Sequence, residues 1–108
     1  MGGTISPGID LRFRSLSEFT GKLPRLSNKS GLNLVGINTE TSIRSGVMNG
    51  MGAEIQGIVS AYESQFESLT FFVTGGDASY FDIHSKNDIF ADENLTLKGL
   101  IEIYLYNA

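Results

Sequence analysis

The sequence predicts a small α/β domain whose β-sheet is incomplete. One long segment has helical periodicity, and two or three short runs are rich in β-branched and aromatic residues. The length of 108 residues suffices for one domain, but not for two independent cores. Because so few strands would serve four or five helices, the sheet edges would be left unpaired. We therefore expect residues 1–108 to form a single domain, part of a sheet whose other strands are supplied elsewhere.

The composition excludes several classes of site. The chain has no cysteine, which rules out disulfides and thiolate metal sites, and its one histidine, His84, cannot form a multi-histidine zinc site. A net charge of −4 argues against a nucleic-acid surface. No segment approaches the roughly 18 apolar residues of a membrane span, and the N-terminus lacks the pattern of a signal peptide. We expect a cytoplasmic protein without a metal site of its own, binding neither nucleic acid nor a membrane.

The first third of the chain predicts a strand, a helix and a loop. Residues 4–6 read as a short strand that ends in the turn Pro7-Gly8. Helical spacing then runs from Ile9 to about Lys22, where Pro24 marks the stop. Residues 25–36 are predicted to be a polar loop.

The strongest helical pattern runs from Glu40 to about Phe66. Asn38 or Thr39 is the expected N-cap, and Glu40 lies in the first turn, where the helix dipole favours a carboxylate. The apolar residues form one stripe along this helix: Ile43, Val47, Met51, Ile55, Ile58, Val59, Tyr62 and Phe66.

A second stripe on the same helix consists of small residues, namely Ser42, Gly46, Gly50, Ala53, Gly57 and Ala61. Each interior glycine costs about 0.5–1 kcal/mol relative to alanine, so the pattern needs a compensating contact. One interpretation is a second helix packed closely on this face, for example from another subunit. The other is a kink near residues 50–52 that divides the segment in two.

The remaining elements follow the long helix. Residues 69–73 form an apolar run that predicts a buried strand. Residues 79–86 read as a short helix, and residues 87–94 as a turn or short strand. Residues 95–100 lead into a predicted terminal helix that contains Leu100, Ile101, Ile103, Tyr104 and Leu105.

The junction between the predicted strand and the short helix is the best candidate for a ligand site. A strand that ends in paired glycines lets a ligand approach the backbone, and a helix N-terminus presents free N–H groups. No P-loop or Gly-x-Gly-x-x-Gly motif occurs. The carboxylate of Asp77 would repel phosphate but could accept hydroxyl donors from a ribose. The residues therefore favour a nucleoside contact, and the structural alternative is a tight strand-to-helix turn.

At this junction the sequence resembles a known family. The run Val73-Thr74-Gly75-Gly76-Asp77-Ala78 looks like the adenosine motif of the superfamily of acetate and sugar kinases and actin. Three further runs occur in the family's order: Gly-Gly-Thr-Ile-Ser-Pro-Gly at 2–8, Asn-Thr-Glu-Thr-Ser-Ile-Arg-Ser-Gly at 38–46, and Leu-Lys-Gly-Leu at 97–100. Over nearly all of its length the chain resembles type III pantothenate kinase, a family also labelled Bvg accessory factor.

The resemblance implies a fold and a reaction. The fold would be an incomplete ribonuclease H-like domain of the actin and sugar-kinase type, with two or three short strands, a long helix and three or four others. It would be the C-terminal half of a two-domain kinase, lacking its first strands. Such enzymes transfer the γ-phosphoryl of ATP to the 4′-hydroxyl of pantothenate, the first step of coenzyme A synthesis. They act as homodimers with Mg²⁺ and a monovalent cation, K⁺ or ammonium.

The resemblance also implies site residues. Thr39 would contact pantothenate, while Thr74, Gly75, Gly76 and Asp77 would contact the adenosine of ATP. The phosphate segment, the catalytic base and the ligands of the monovalent cation belong to family motifs that this chain does not contain. We therefore expect no catalytic residue here, an inactive isolated chain, and a requirement for the missing N-terminal half as partner.

Two other hypotheses remain open at this point. Five of the eight basic residues lie in the first 29 positions, which suits a non-catalytic regulatory module that binds a partner or DNA. The second is another kinase of the same superfamily that acts on a sugar or an acid.

Overall fold

The computed structural model of the protein describes residues 2–27, 33–91 and 94–107, which form a small α/β structure. In chain order, the elements are α1 (Ile9–Thr20), α2 (Thr39–Gln65), β1 (Thr70–Val73), a 3₁₀ turn (Ala78–Tyr80), β2 (Asp88–Ala91) and α3 (Leu95–Asn107). The chain divides into two compact units, residues 1–58 and 59–108, and the boundary falls inside α2. The predicted α/β class is confirmed. The predicted loop at 25–36 lies partly outside the described residues.

Helix α1 is amphipathic and ends earlier than predicted. Ile9 and Phe13 are its buried side chains, with exposed fractions of 0% and 1%. The helix ends at Thr20 because Gly21 takes a left-handed conformation, with φ at 72°. Glycine adopts this conformation without the steric cost that a Cβ imposes, and it commonly ends helices in this way.

Helix α2 is one uninterrupted helix of 27 residues. The interpretation that the segment is divided in two at residues 50–52 is therefore wrong. Its apolar stripe is buried at Ile43, Val47, Met51 and Val59, with Met48 beside them. All six members of the small-residue stripe are exposed. None of the helices in the described part of the chain has both the length and the apolar character of a membrane span.

Residues 2–8 do not form a strand, so the strand predicted at residues 4–6 is wrong. Ile5 is fully exposed, and the sheet of the described residues contains β1 and β2 alone. A strand forms only where another strand pairs with it, and neither β1 nor β2 pairs with residues 4–6.

Side chains instead attach this N-terminal segment to the helices. The Arg12 guanidinium donates to the Pro7 carbonyl at 2.8 Å, to the Ser6 hydroxyl at 2.8 Å, and to both carboxylate oxygens of Glu54 at 2.8 and 3.0 Å. Ser6 also donates to Glu54. The hydrogen bond from Ser6, followed by the one from Arg12, holds the pKa of Glu54 below its ordinary value.

The strands β1 and β2 form a parallel pair in the second unit, with Phe71 opposite Ile89 and Phe72 opposite Phe90. Phe71 meets the ring of Tyr62 from α2 edge to face, at 6.5 Å between centroids. On the other side of the sheet Phe72 and Phe90 stack at 5.6 Å and stay 61% and 50% exposed. The prediction of a buried strand is therefore wrong for that side, because no described element covers it.

The segment between the strands contains less helix than predicted. A 3₁₀ turn at Ala78–Tyr80 takes the place of the helix expected over residues 79–86, and the chain then continues without regular structure to β2. The short strand expected within residues 87–94 is confirmed as β2, and the terminal helix is confirmed as α3.

We predict that Gly36→Ala destabilises the chain by about 1–3 kcal/mol, the usual range for overpacking. A Cβ at Gly36 would lie 2.4 Å from both the Cα and the backbone nitrogen of Ser42, and backbone atoms cannot move aside cheaply. Urea unfolding followed by circular dichroism measures the change. The control is Gly57→Ala, where a Cβ meets nothing within 4 Å. That variant should gain about 0.5–1 kcal/mol, and equal stability of the two variants would contradict the close contact.

We also predict that Glu54 makes stability depend on acidic pH. Because folding lowers its pKa, Glu54 stabilises the folded chain at pH values above its ordinary pKa, and this contribution disappears as the pH falls through the lower, folded pKa. In urea titrations between pH 3 and 7, Glu54→Gln should be less stable than wild type at neutral pH and should converge with it in acid. Glu67→Gln, which changes an exposed carboxyl, is the control. An equal deficit at every pH would refute this account.

Candidate functional site

The turn after β1 brings four of the five sequence-predicted site residues together. Thr74, Gly75 and Gly76 are exposed, and Asp77 is half-buried. Gly75 has a φ of 104°, which favours glycine because a side chain there would be strained. Asp77 begins the 3₁₀ turn, and its carbonyl accepts a hydrogen bond from the Tyr80 N–H at 3.1 Å. The chain thus reverses direction at the carboxyl end of a parallel strand, where open α/β sheets bind ligands.

The two glycines of this turn lack a side chain for different reasons. At Gly75 the left-handed backbone accounts for the residue type. Gly76 has no positive φ, and a Cβ added there would meet nothing within 4 Å. No contact within the described residues therefore requires glycine at position 76. The open space over this position is what the close approach of a flat ligand to the backbone would need.

A polar cluster positions the strand beside this turn. The Glu63 carboxylate, near the end of α2, accepts hydrogen bonds from the Ser85 hydroxyl and from the Asn87 side-chain amide, the latter at 3.1 Å. Asn87 Oδ1 in turn accepts the Leu69 N–H at 3.4 Å. The residues just before each strand are thereby linked, which supports the parallel pairing.

The same cluster affects the acidity of Glu63. The hydrogen bond from Ser85, helped by those from Asn87 and from the Lys86 backbone, lowers the pKa of Glu63 against the opposing effect of desolvation. Sequence reasoning missed this cluster. Its only signal was a polar run, residues 85–87, directly before a strand, and that run does not identify its distant carboxylate partner.

Thr39, the fifth predicted site residue, lies in the first compact unit, residues 1–58. It is the first residue of α2 and is exposed. It borders an open groove of about 550 Å³ whose lining is mostly apolar: Leu16, Leu23, Thr39, Ser42, Ile43 and Gly46. No described residue hydrogen-bonds to the Thr39 hydroxyl. The groove therefore combines apolar walls with a hydroxyl that can donate or accept one hydrogen bond.

The other ionisable residues do not assemble a metal centre in the described part of the chain. Within residues 2–27, 33–91 and 94–107, no group of three or more His, Asp and Glu side chains could hold a metal ion. His84 is exposed and lies 3.7 Å from Asp82, also exposed. The arrangement is that of a solvated pair rather than of a positioned base.

The sequence of this chain matches one family of known proteins. A family model described as type III pantothenate kinase matches residues 1–61. Curated type III pantothenate kinases match almost the whole chain. The protein from Christiangramia forsetii is 46% identical over 107 residues, which are 99% of this chain and 44% of that protein. The one from Phocaeicola vulgatus is 46% identical over 106 residues, and the one from Cytophaga hutchinsonii 42% over 106.

The chain thus spans less than half the length of the curated relatives it matches. The relatives are kinases by name, so the comparisons do not favour the alternative of a non-catalytic regulatory module. More than half of the chain matches the family model, and nearly all of it aligns with named members at over 40% identity. By these matches, this chain belongs to the type III pantothenate kinase family.

Proposed function

We propose that this chain is the C-terminal part of a cytoplasmic pantothenate kinase that acts in coenzyme A synthesis. The observation that carries the proposal is the alignment, at 46% identity, of 99% of the chain with 44% of a named kinase. In the proposed reaction the 4′-hydroxyl oxygen of pantothenate bonds to the γ-phosphorus of ATP while the bond to ADP breaks. The hydroxyl proton passes to a base in the missing N-terminal half.

The turn over residues 74–77 is proposed to contact the adenosine of ATP. The open backbone at Gly76 admits a purine or ribose at close range. The Asp77 carboxylate can accept hydrogen bonds from ribose hydroxyls, whereas its charge disfavours a phosphate at the same place. Thr74, exposed at the end of β1, adds a hydroxyl to this pocket. These features suit the nucleoside end of ATP rather than its phosphates.

The groove beside Thr39 is proposed to take pantothenate. This substrate carries two methyl groups next to hydroxyl and amide groups, and it needs both apolar walls and hydrogen bonds. Leu16, Leu23 and Ile43 supply apolar surface, while the Thr39 hydroxyl supplies a hydrogen bond.

The phosphate and cation chemistry is proposed to lie outside this chain. Phosphoryl transfer depends on positioning and on the neutralisation of charge by cations and basic groups. The described residues hold no cluster fit for Mg²⁺, and the ligands of the monovalent cation, K⁺ or ammonium, are expected in the other half. The isolated chain is therefore expected to be inactive.

The uncovered apolar surface of the second unit supports a missing half. No side chain described in α3 is buried, although the helix is rich in large apolar residues: Leu95, Leu97, Leu100, Ile101, Ile103, Tyr104, Leu105 and Tyr106. Large exposed apolar patches mark interaction surfaces. In the proposed ribonuclease H-like arrangement, further strands of the kinase extend the two-stranded sheet and complete one domain with residues 1–108.

The part of the small-residue face of α2 that lies beyond the groove is proposed to be a contact between two subunits. Its residues, Gly50, Ala53, Gly57 and Ala61, are exposed, and a Cβ at Gly50 or Gly57 would meet nothing within 4 Å. Glycines in a helix cost stability, and a close helix–helix approach can offset that cost. The open space at these two glycines suits a homodimer.

Reconstitution tests the function. Co-expression of this chain with the N-terminal half of the Christiangramia forsetii relative should restore ATP- and Mg²⁺-dependent phosphorylation of radiolabelled pantothenate, while each half alone stays inactive.

Two variants of the reconstituted kinase test the two proposed contacts. Thr39→Val should raise KM for pantothenate and leave KM for ATP unchanged. Gly76→Val should raise KM for ATP and leave KM for pantothenate unchanged. Loss of one hydrogen bond corresponds to about a fivefold change. Glu67→Gln, which changes an exposed residue outside both sites, is the control. A reconstituted pair that stays inactive while the intact relative works would refute the proposal.

Size exclusion with light scattering tests the subunit contact. In the reconstituted complex, Gly50→Leu should shift the mass from two copies towards one, because a large side chain prevents close approach of the helices. Gly50→Ala adds only a methyl group and should keep the dimer. If both variants have the mass of the wild type, the dimer uses another surface.

A further inference from the structure

The loop before α2 is fastened to the first turns of that helix by several independent contacts. Gly36 packs so closely on Ser42 that a Cβ would overlap backbone atoms. Ser45 is buried, with only 8% of its surface exposed. Its hydroxyl donates to the Leu34 carbonyl at 2.5 Å. The Asn49 amide donates to Ser45 Oγ at 3.0 Å. Residues 34–38 therefore lie in a defined position against the first turns of α2.

Thr41 is the most highly connected residue of this junction. Its hydroxyl oxygen accepts hydrogen bonds from the N–H groups of Ile37, at 3.0 Å, and Asn38, at 3.1 Å. Asn38 Oδ1 accepts one from the Thr41 N–H and one from the Thr41 hydroxyl, both at 2.8 Å. The two residues cap each other in both directions, as in a capping box, with threonine in the place usually held by Glu or Gln.

Thr39 lies between these two residues and depends on them for its position. It is the first residue of α2, and its own hydroxyl has no hydrogen-bond partner among the described residues. The backbone that the pair of Asn38 and Thr41 holds sets the direction of the Cα–Cβ bond of Thr39. A shift of that backbone by even 1 Å would misplace the hydroxyl in the groove.

We infer that Thr41 is a positioning residue for substrate binding, acting through Thr39, and that Gly36 supports it by allowing the loop to lie against Ser42. The inference rests on the proposed function, because it takes the groove at Thr39 to be the pantothenate pocket. Thr41 need not touch the substrate: its hydroxyl holds the turn that presents Thr39. The residue thus contributes to affinity for pantothenate and not to the chemical step.

The reconstituted kinase provides the test, with Thr41→Val and Thr41→Ser as a matched pair. Valine keeps the shape of threonine but removes the hydroxyl, whereas serine keeps the hydroxyl. We expect Thr41→Val to raise KM for pantothenate about fivefold, as the loss of a helix cap would, with kcat and KM for ATP unchanged. Hydrogen–deuterium exchange of the complex should show faster exchange in residues 33–42 for this variant. Thr41→Ser should restore both values.

The outcomes separate this inference from the proposed function. If the wild-type complex shows no pantothenate-dependent activity, the proposed function fails and the inference fails with it. If the wild-type complex is active and Thr41→Val exchanges faster but keeps the wild-type KM, only the inference is overturned. A fall in kcat that serine does not rescue would also overturn it, because Thr41 would then act on the reaction rather than on the position of Thr39.

Discussion

Burial of one stripe of α2 is the constraint on which the described structure depends. Apart from Ile9 and Phe13 of α1, every buried apolar side chain among the described residues lies on α2, from Ile43 to Val59. Hydrophobic burial is the dominant favourable term in folding. This single helix contributes to both compact units, places Thr39 at its start and holds Glu63 near its end. Apolar side chains that do not share in this burial, on α3 and on one side of the sheet, stay exposed.

The glycines show how the same residue type serves unrelated purposes. Gly36 has no side chain because the backbone of Ser42 lies directly against it, and Gly75 because its φ is positive. Neither reason applies to Gly76, Gly50 or Gly57, where added atoms would enter open space. Where the described structure gives no reason for a glycine, a contact with another molecule supplies one. This is why the adenosine and subunit contacts are proposed at these positions.

Local patterns predicted the helices well because helical hydrogen bonds join residues close in sequence. The long helix, its cap at Asn38 and the terminal helix are confirmed. A strand forms only when another strand pairs with it, and a local sequence pattern does not show whether such a strand is present. The strand at residues 4–6 is not formed, since neither β1 nor β2 pairs with it. The side of β1 that carries Phe72 is exposed, since no described element covers it. The helix expected over residues 79–86 is largely absent, because Ser85 and Asn87 bond to Glu63 instead.

The sequence by itself determined the α/β class, the order of most elements, the strand-to-turn junction at residues 74–77 and, through its resemblance, the family. It also predicted Thr39 and the residues 74–77, but not the groove walls at Leu16, Leu23 and Ile43, nor Thr41 and Gly36. The tertiary structure alone decided which glycines are needed for packing, that Thr39 borders a groove, and that Asn38 and Thr41 cap each other. The physical reason is that periodicity and turn signals depend on neighbours in the chain, whereas close approach, burial and shared hydrogen bonds depend on neighbours in space.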